Sequence, residues 1–161
     1  MADFRKAVAF VLLHEGRYEP PSPNDPGGET NFGISKRAYP DENIREMTAE
    51  RAGEIYRRDF WRFDQVRDDG LGAKMLDVCV QFGLGEGVRL IERALVPFFP
   101  GKGIAIDGVF GSHDIELVNL CDPAALLAEI RARQAQRYCQ DVIKNPAEMP
   151  NALGFFRRAV Q

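Results

Sequence analysis

The sequence predicts a mainly α fold with one small irregular or β-hairpin acidic loop near the N-terminus. Three observations predict it. Apolar residues recur at helical spacing in several separate stretches. Helix-starting residues, Asp3, Thr48 and Asp122-Pro123, stand directly before three of those stretches. Proline and glycine crowd into one segment, with Pro20, Pro21, Pro23, Pro26, Gly27, Gly28, Gly33 and Pro40, which cannot be helical.

Taken in order, Asp3 caps a helix over residues 4–15 that places Phe4, Val8, Val11 and Leu12 on one face, and Gly16 stands where a left-handed stop is expected. After the proline-rich segment begins, "ETNFGIS" is suited to a short strand or hairpin arm. Thr48 caps a second helix through about Phe63, with Ala52, Ile55, Tyr56, Phe60 and Phe63 inward. A third runs from about Leu71 to Phe82, and Gly85 and Gly87 are expected to break it from a fourth, "VRLIERAL". "IAIDGVFG" reads as a turn with at most a short strand. Ser112 caps a short helix, and Asp122-Pro123 opens a long one to about Lys144 with Leu126, Leu127, Ile130, Tyr138 and Val142 on its apolar face. The terminal "PNALGFFRRAV" is helical in pattern.

The 161 residues suit one sizeable core, and 45% hydrophobic with 28% charged residues is the balance of a globular protein. A net charge of −3 argues against an extensive nucleic-acid footprint, which needs basic groups to displace counterions, but leaves room for a polysaccharide. Cys79, Cys121 and Cys139 are far apart and odd in number, so they read as buried small hydrophobes of a reducing environment. His14-Glu15 lacks the second histidine of a zincin helix, since Tyr18 stands at that position. "GLGEG" has the wrong glycine spacing for a nucleotide loop. No metal or cofactor is expected. The N-terminal apolar run is too short to span a bilayer and lacks a cleavage site, so the expectation is synthesis in the cytoplasm without a cleavable signal.

The chemistry concentrates in "HEGRYEPPSPNDPGGETNFGIS", residues 14–35. Glu15 falls at a helix C-terminus, where the last carbonyls disfavour a negative charge and so favour the protonated form a general acid requires. Arg17 pulls the other way, which leaves the balance open. Asp25 and Glu29 follow on a stiff loop. "NDPGG" is also a strong turn former in its own right. Three carboxylates and Thr30 in one short segment favour glycosidic cleavage, which needs one acid to protonate the leaving oxygen and a second group to activate water or attack. Asp77, mid-helix among apolar residues, reads first as a hydrogen-bonding structural group and second as a cleft residue. Trp61 is available to stack on a sugar if exposed. Arg157 and Arg158 can anchor the terminal helix or meet anionic peptide stems.

These residues resemble a known family. "HEGRYEPPSPNDPGGETNFGISKRAYP" is similar to the N-terminal signature of glycoside hydrolase family 108, the muramidase and secretion-activator group, with its EGGY and NDPGGETNYGIS motifs. "AERAGEIYRRDFW" and "MLDVCVQFG" continue the likeness, and "LIERAL…IAIDGVFG" resembles the family's peptidoglycan-binding region. The resemblance implies a lysozyme-like helical domain, with residues 1–84 as the catalytic region and 85–161 as the peptidoglycan-binding part packed against it. It implies cleavage of peptidoglycan glycan strands with Glu15 as acid. Phage-type lysozymes have a similar Glu–Asp–Thr order, and the Glu15–Thr30 separation is theirs, while Asp25 stands one position later. Asp25 with Thr30 is therefore expected to position water, with Glu29 as the rival to Asp25. Tyr18, Glu29, Asn31, Phe32 and Asp77 are the substrate-binding candidates. Arg17 replaces a glycine of EGGY, Phe32 replaces a tyrosine, and "GFFRR" lacks the family's tryptophan.

The implied role is endolysin-like, in phage or prophage, acting at the wall or periplasm after release, with a holin-type export partner and a monomeric state. An inverting enzyme would hold the two carboxylates about 6.5–9.5 Å apart. A lytic transglycosylase, a non-catalytic wall-binding or assembly protein, and a cytoplasmic regulator are the alternatives.

Overall fold

The first helix, α1 (Phe4–His14), begins where the Asp3 carboxylate accepts the Arg5 N–H at 2.8 Å. Ala7 and Val11 form its fully buried stripe. A computed structural model of the protein describes residues 1–21 and 28–161. The left-handed stop expected at Gly16 does not form. Glu15 instead leaves the helix in an extended conformation, φ −77° and ψ 135°. The reason is tertiary: the Gly16 carbonyl is taken by the Phe32 N–H at 3.1 Å, so the chain must turn toward the hairpin.

That hairpin is the antiparallel pair β1 (Thr30–Asn31) and β2 (Ile34–Ser35), in register Thr30 opposite Ser35 and Asn31 opposite Ile34. Its two-residue turn has positive φ at both positions, 48° at Phe32 and 72° at Gly33, the type I′ geometry that matches strand twist. Glu19 bridges the outer side of Thr30 through paired backbone bonds of 2.7 and 3.0 Å. Asn31 is buried, and its amide donates to the Ile44 and Met47 carbonyls at 3.0 and 3.4 Å, tying the hairpin to the following loop.

Helix α2 (Ala49–Asp59) is capped by Thr48 and ends four residues before the expected limit at Phe63. Phe63 is still fully buried, but from the loop beyond, where Trp61 packs edge-on against it and against Phe4 at centroid distances of 5.5 and 5.2 Å. Only 3% of Trp61 is exposed, so it is a core residue and not a sugar platform. Helix α3 (Asp69–Phe82) starts two residues before the expected Leu71, because Asp68 caps it through the Leu71 N–H at 2.8 Å. Gly83, with φ 82°, is the whole break before α4 (Leu84–Leu95). Gly85 and Gly87, expected to interrupt the chain, lie inside α4. Gly87 is there for close approach: a Cβ on it would stand 2.5 Å from the Cys79 Cα of α3.

"IAIDGVFG" contains no strand. Its turn is held by α4, where the buried Glu92 carboxylate accepts the Gly108 N–H at 3.1 Å and Arg89 donates to the Asp107 carbonyl at 3.1 Å. Helix α5 (Ser112–Leu120) takes Ser112 as its first residue, with Asp114 reaching back to the Gly111 N–H at 2.8 Å. Helix α6 (Pro123–Lys144) begins at Asp122-Pro123 as read, with the Asp122 carboxylate accepting the Ala125 N–H at 2.8 Å. A 3-10 turn over Pro146–Asn151 leads to α7 (Ala152–Ala159), which docks on α6 through stacked Tyr138 and Phe155 rings 4.8 Å apart.

One hydrophobic cluster runs from Ala2 and Val11 through α2, α3 and α4 to Leu126 and Ile130 of α6. Of the thiols, Cys79 is buried, Cys121 is half-buried and Cys139 is exposed, so only the first is the small core hydrophobe expected. No helix among the described residues is long and apolar enough to cross a membrane.

Candidate functional site

Glu15 stands where α1 hands over to the hairpin, on the wall of a cleft of about 720 Å³. Thr30 and Gly33 come to this cleft from the hairpin, Gln81 from α3, and Phe155, Arg157 and Arg158 from α7. The Glu15 side chain is 14% exposed, enclosed but reachable. Its two oxygens have different neighbours. Oε1 accepts from the Arg158 guanidinium at 2.6 Å. Oε2 lies against the hairpin turn, 2.4 Å from the point where a Cβ on Gly33 would stand, with the Tyr56 hydroxyl on the same point at 2.7 Å. Only a glycine admits the carboxylate there, and its φ of 72° also suits glycine.

The turn itself is pinned from below. The Tyr56 hydroxyl donates to the Phe32 carbonyl at 2.6 Å, which holds Phe32 in its left-handed conformation. Burial, and secondarily the Glu15 charge, pushes the Tyr56 phenol far above its ordinary value, so it remains a neutral donor.

Behind Glu15 lies a chain of buried charges. The Arg158 guanidinium also reaches Asp77, through Nε at 2.9 Å and Nη2 at 2.8 Å. Asp77 is fully buried and receives the Lys74 ammonium at 3.2 Å and the Gln134 amide at 3.3 Å. Lys74 further donates to the Arg158 carbonyl at 2.8 Å. Burial opposes the charge on Arg158, but Asp77 and Glu15 outweigh it and raise the guanidinium above its usual value. For Lys74, burial wins over Asp77 and the ammonium is lowered.

The sequence-derived candidates therefore separate. Glu15 and Thr30 meet at one cleft. Asp25, and with it the expected carboxylate separation, lies outside the described residues. Glu29 accepts from the Tyr18 hydroxyl at 3.2 Å, and that pair sits beside the hairpin rather than on the cleft wall. Asn31 faces the core carbonyls of Ile44 and Met47, and Phe32 contributes its carbonyl to Tyr56. Asp77 does not reach the surface; it holds Arg158. The cation on Glu15 is Arg158, not the neighbouring Arg17. Glu19, which the sequence reading did not single out, lines the same cleft with its Oε1 3.6 Å from where a Cβ on Gly16 would stand. No group of three or more His, Cys, Asp and Glu among the described residues is arranged to hold a metal ion.

Fold and site together define a mainly α domain whose cleft sets a helix-end carboxylate against a small hairpin. Residues 8–83, which carry Glu15, the hairpin, α2 and α3, match the family model described as glycosyl hydrolase 108. The match covers a little under half of the chain and is a similarity of that segment to the family. Among solved structures, SagA of Brucella abortus is similar over 98% of this chain and 93% of its own, at 24% identity and a TM-score of 0.71. At that identity the likeness is one of fold. No curated protein matches the chain.

Proposed function

We propose that the protein cleaves the glycan strand of peptidoglycan as an N-acetylmuramidase, with Glu15 as the general acid and Asp25 with Thr30 positioning water. The observation that carries this reading is the placement of Glu15: a partly enclosed carboxylate on the wall of an open cleft that Thr30 also lines, in the segment that matches the glycosyl hydrolase 108 model. The proton passes from Glu15 to the glycosidic oxygen as the C–O bond breaks, with its electron pair going to that oxygen. Water adds to the sugar carbon, and its own proton passes to the second carboxylate. Glu19 is the described carboxylate that shares the cleft with Glu15, and so is a candidate for that second role if Asp25 does not supply it. The motif resemblance supports an endolysin-like setting, in which a monomer reaches the wall after release through a holin-type partner.

Zymography on purified peptidoglycan tests the reading. Glu15→Gln should lose on the order of 10² to 10⁴ in rate while still binding sacculi. Wild-type protein that binds sacculi and releases no muropeptide would return the chain to a wall-binding role. Mass spectra dominated by 1,6-anhydro ends would make it a lytic transglycosylase instead.

A further inference from the structure

We propose that Arg158 is a positioning residue that orients Glu15 in the cleft, and that Asp77 holds it in place from behind. The inference rests on the reading of Glu15 as the acid. It comes from the way one guanidinium is shared. Arg158 spends Nε and Nη2 on the fully buried Asp77 and, through the same Nη2, reaches Glu15 at 2.6 Å. Asp77 is the permanent partner and Glu15 the one open to the cleft. Helix α7 cannot slide to break this arrangement freely, since Lys74 grips the Arg158 carbonyl at 2.8 Å and Phe155 stacks on Tyr138.

Charge balance gives the arrangement its consequence. Lys74, Arg158, Asp77 and Glu15 sum to zero when Glu15 is ionised. A proton on Glu15 leaves one positive charge in excess, and its transfer to the glycosidic oxygen restores neutrality. Arg158 therefore stabilises the carboxylate that forms in the transition state, as fixed donors do where charge develops.

Other charges near Glu15 do not substitute for it. Tyr56 of α2 and Tyr138 of α6 are neutral phenols, the latter pushed up to about 12 by burial above all. Arg131 of α6 is turned to the Gln161 carbonyl at 2.5 Å. Arg17, Glu19 and Arg157 sit on the solvent side of the cleft, where screening is strong. The His14 ring of α1 is engaged elsewhere, with the Phe10 carbonyl and the Gln161 side chain.

The test separates kcat from KM on purified glycan strands. Arg158→Met should lower kcat on the order of 10²-fold and leave KM near wild type. Arg158→Lys keeps the charge but not the fork that spans two carboxylates, so it should recover part of that loss, and it keeps the test usable if the methionine variant is unfolded. Added to Glu15→Gln, Arg158→Met should cost little more, because a residue that acts through Glu15 then has nothing left to position. Wild-type kcat in a folded Arg158→Met variant, or a full further loss in the double variant, overturns the coupling. Full activity in Glu15→Gln would instead defeat the acid assignment.

Discussion

Gly33→Ala is the perturbation that most directly probes how the hairpin meets the acid. A Cβ there would stand 2.4 Å from Glu15 Oε2 and 2.8 Å from Glu15 Cδ. That is about 1 Å short of ordinary non-bonded contact. The carboxylate or the turn must move by that amount, and a misplacement of about 1 Å costs on the order of 10² in rate. The backbone adds a second effect, because alanine at φ 72° costs about 1–2 kcal/mol. For a chain of this length that lowers Tm by about 2–8 °C. Gly83→Ala separates the two, since Gly83 has φ 82° but nothing within 4 Å of its would-be Cβ. Thermal melts should show losses for both variants, since Gly83, at φ 82° and ψ 150°, also holds a conformation that glycine alone adopts readily. Turnover of purified peptidoglycan should fall about 10²-fold for Gly33→Ala and stay near wild type for Gly83→Ala. Equal turnover in the two alanine variants would refute the argument that the turn presses on the carboxylate.

Two further outcomes follow from burial. Trp61→Ala should cost about 3–5 kcal/mol in denaturant unfolding, with KM for glycan unchanged in whatever fraction stays folded, because the ring packs on Phe4 and Phe63 and not on substrate. Glu92 is held above the usual carboxylate value by burial first, partly offset by the Gly108 N–H. The folded state therefore keeps its proton to higher pH than the unfolded chain does. Stability from this group is present at low pH and is lost as pH rises from the unfolded glutamate range through the raised folded value. Melting curves from pH 4 to 7 should show this fall in wild type and a flatter profile in Glu92→Gln; parallel profiles would exclude Glu92 as the cause.

Much of the fold was legible because its signals are local. Asp3, Thr48 and Asp122-Pro123 start helices where they were expected to, since a cap needs only the next turn's N–H groups. The exits were read less well. Gly16 did not stop α1 in a left-handed turn, because its carbonyl bonds Phe32 across the hairpin. Gly85 and Gly87 did not break a helix, because Gly87 is spent on contact with Cys79. Helix interiors tolerate glycine when packing against a neighbour repays its weak propensity.

The sequence by itself determined the mainly α class, the acidic segment after α1, the presence there of Glu15 and Thr30, and the likeness of residues 8–83 to the glycosyl hydrolase 108 model. These rest on order and spacing along the chain, which the letters contain. Only the tertiary structure decided which groups surround the acid. Arg158 is 143 residues away from Glu15 in sequence, and Tyr56 touches the hairpin turn from another helix. Asp77 could be read as cleft or core until the fold buried it beneath Arg158. Charge pairing depends on distance and on exclusion of water, and both are set when α7 closes over α3 and α1, not by neighbouring residues in the chain.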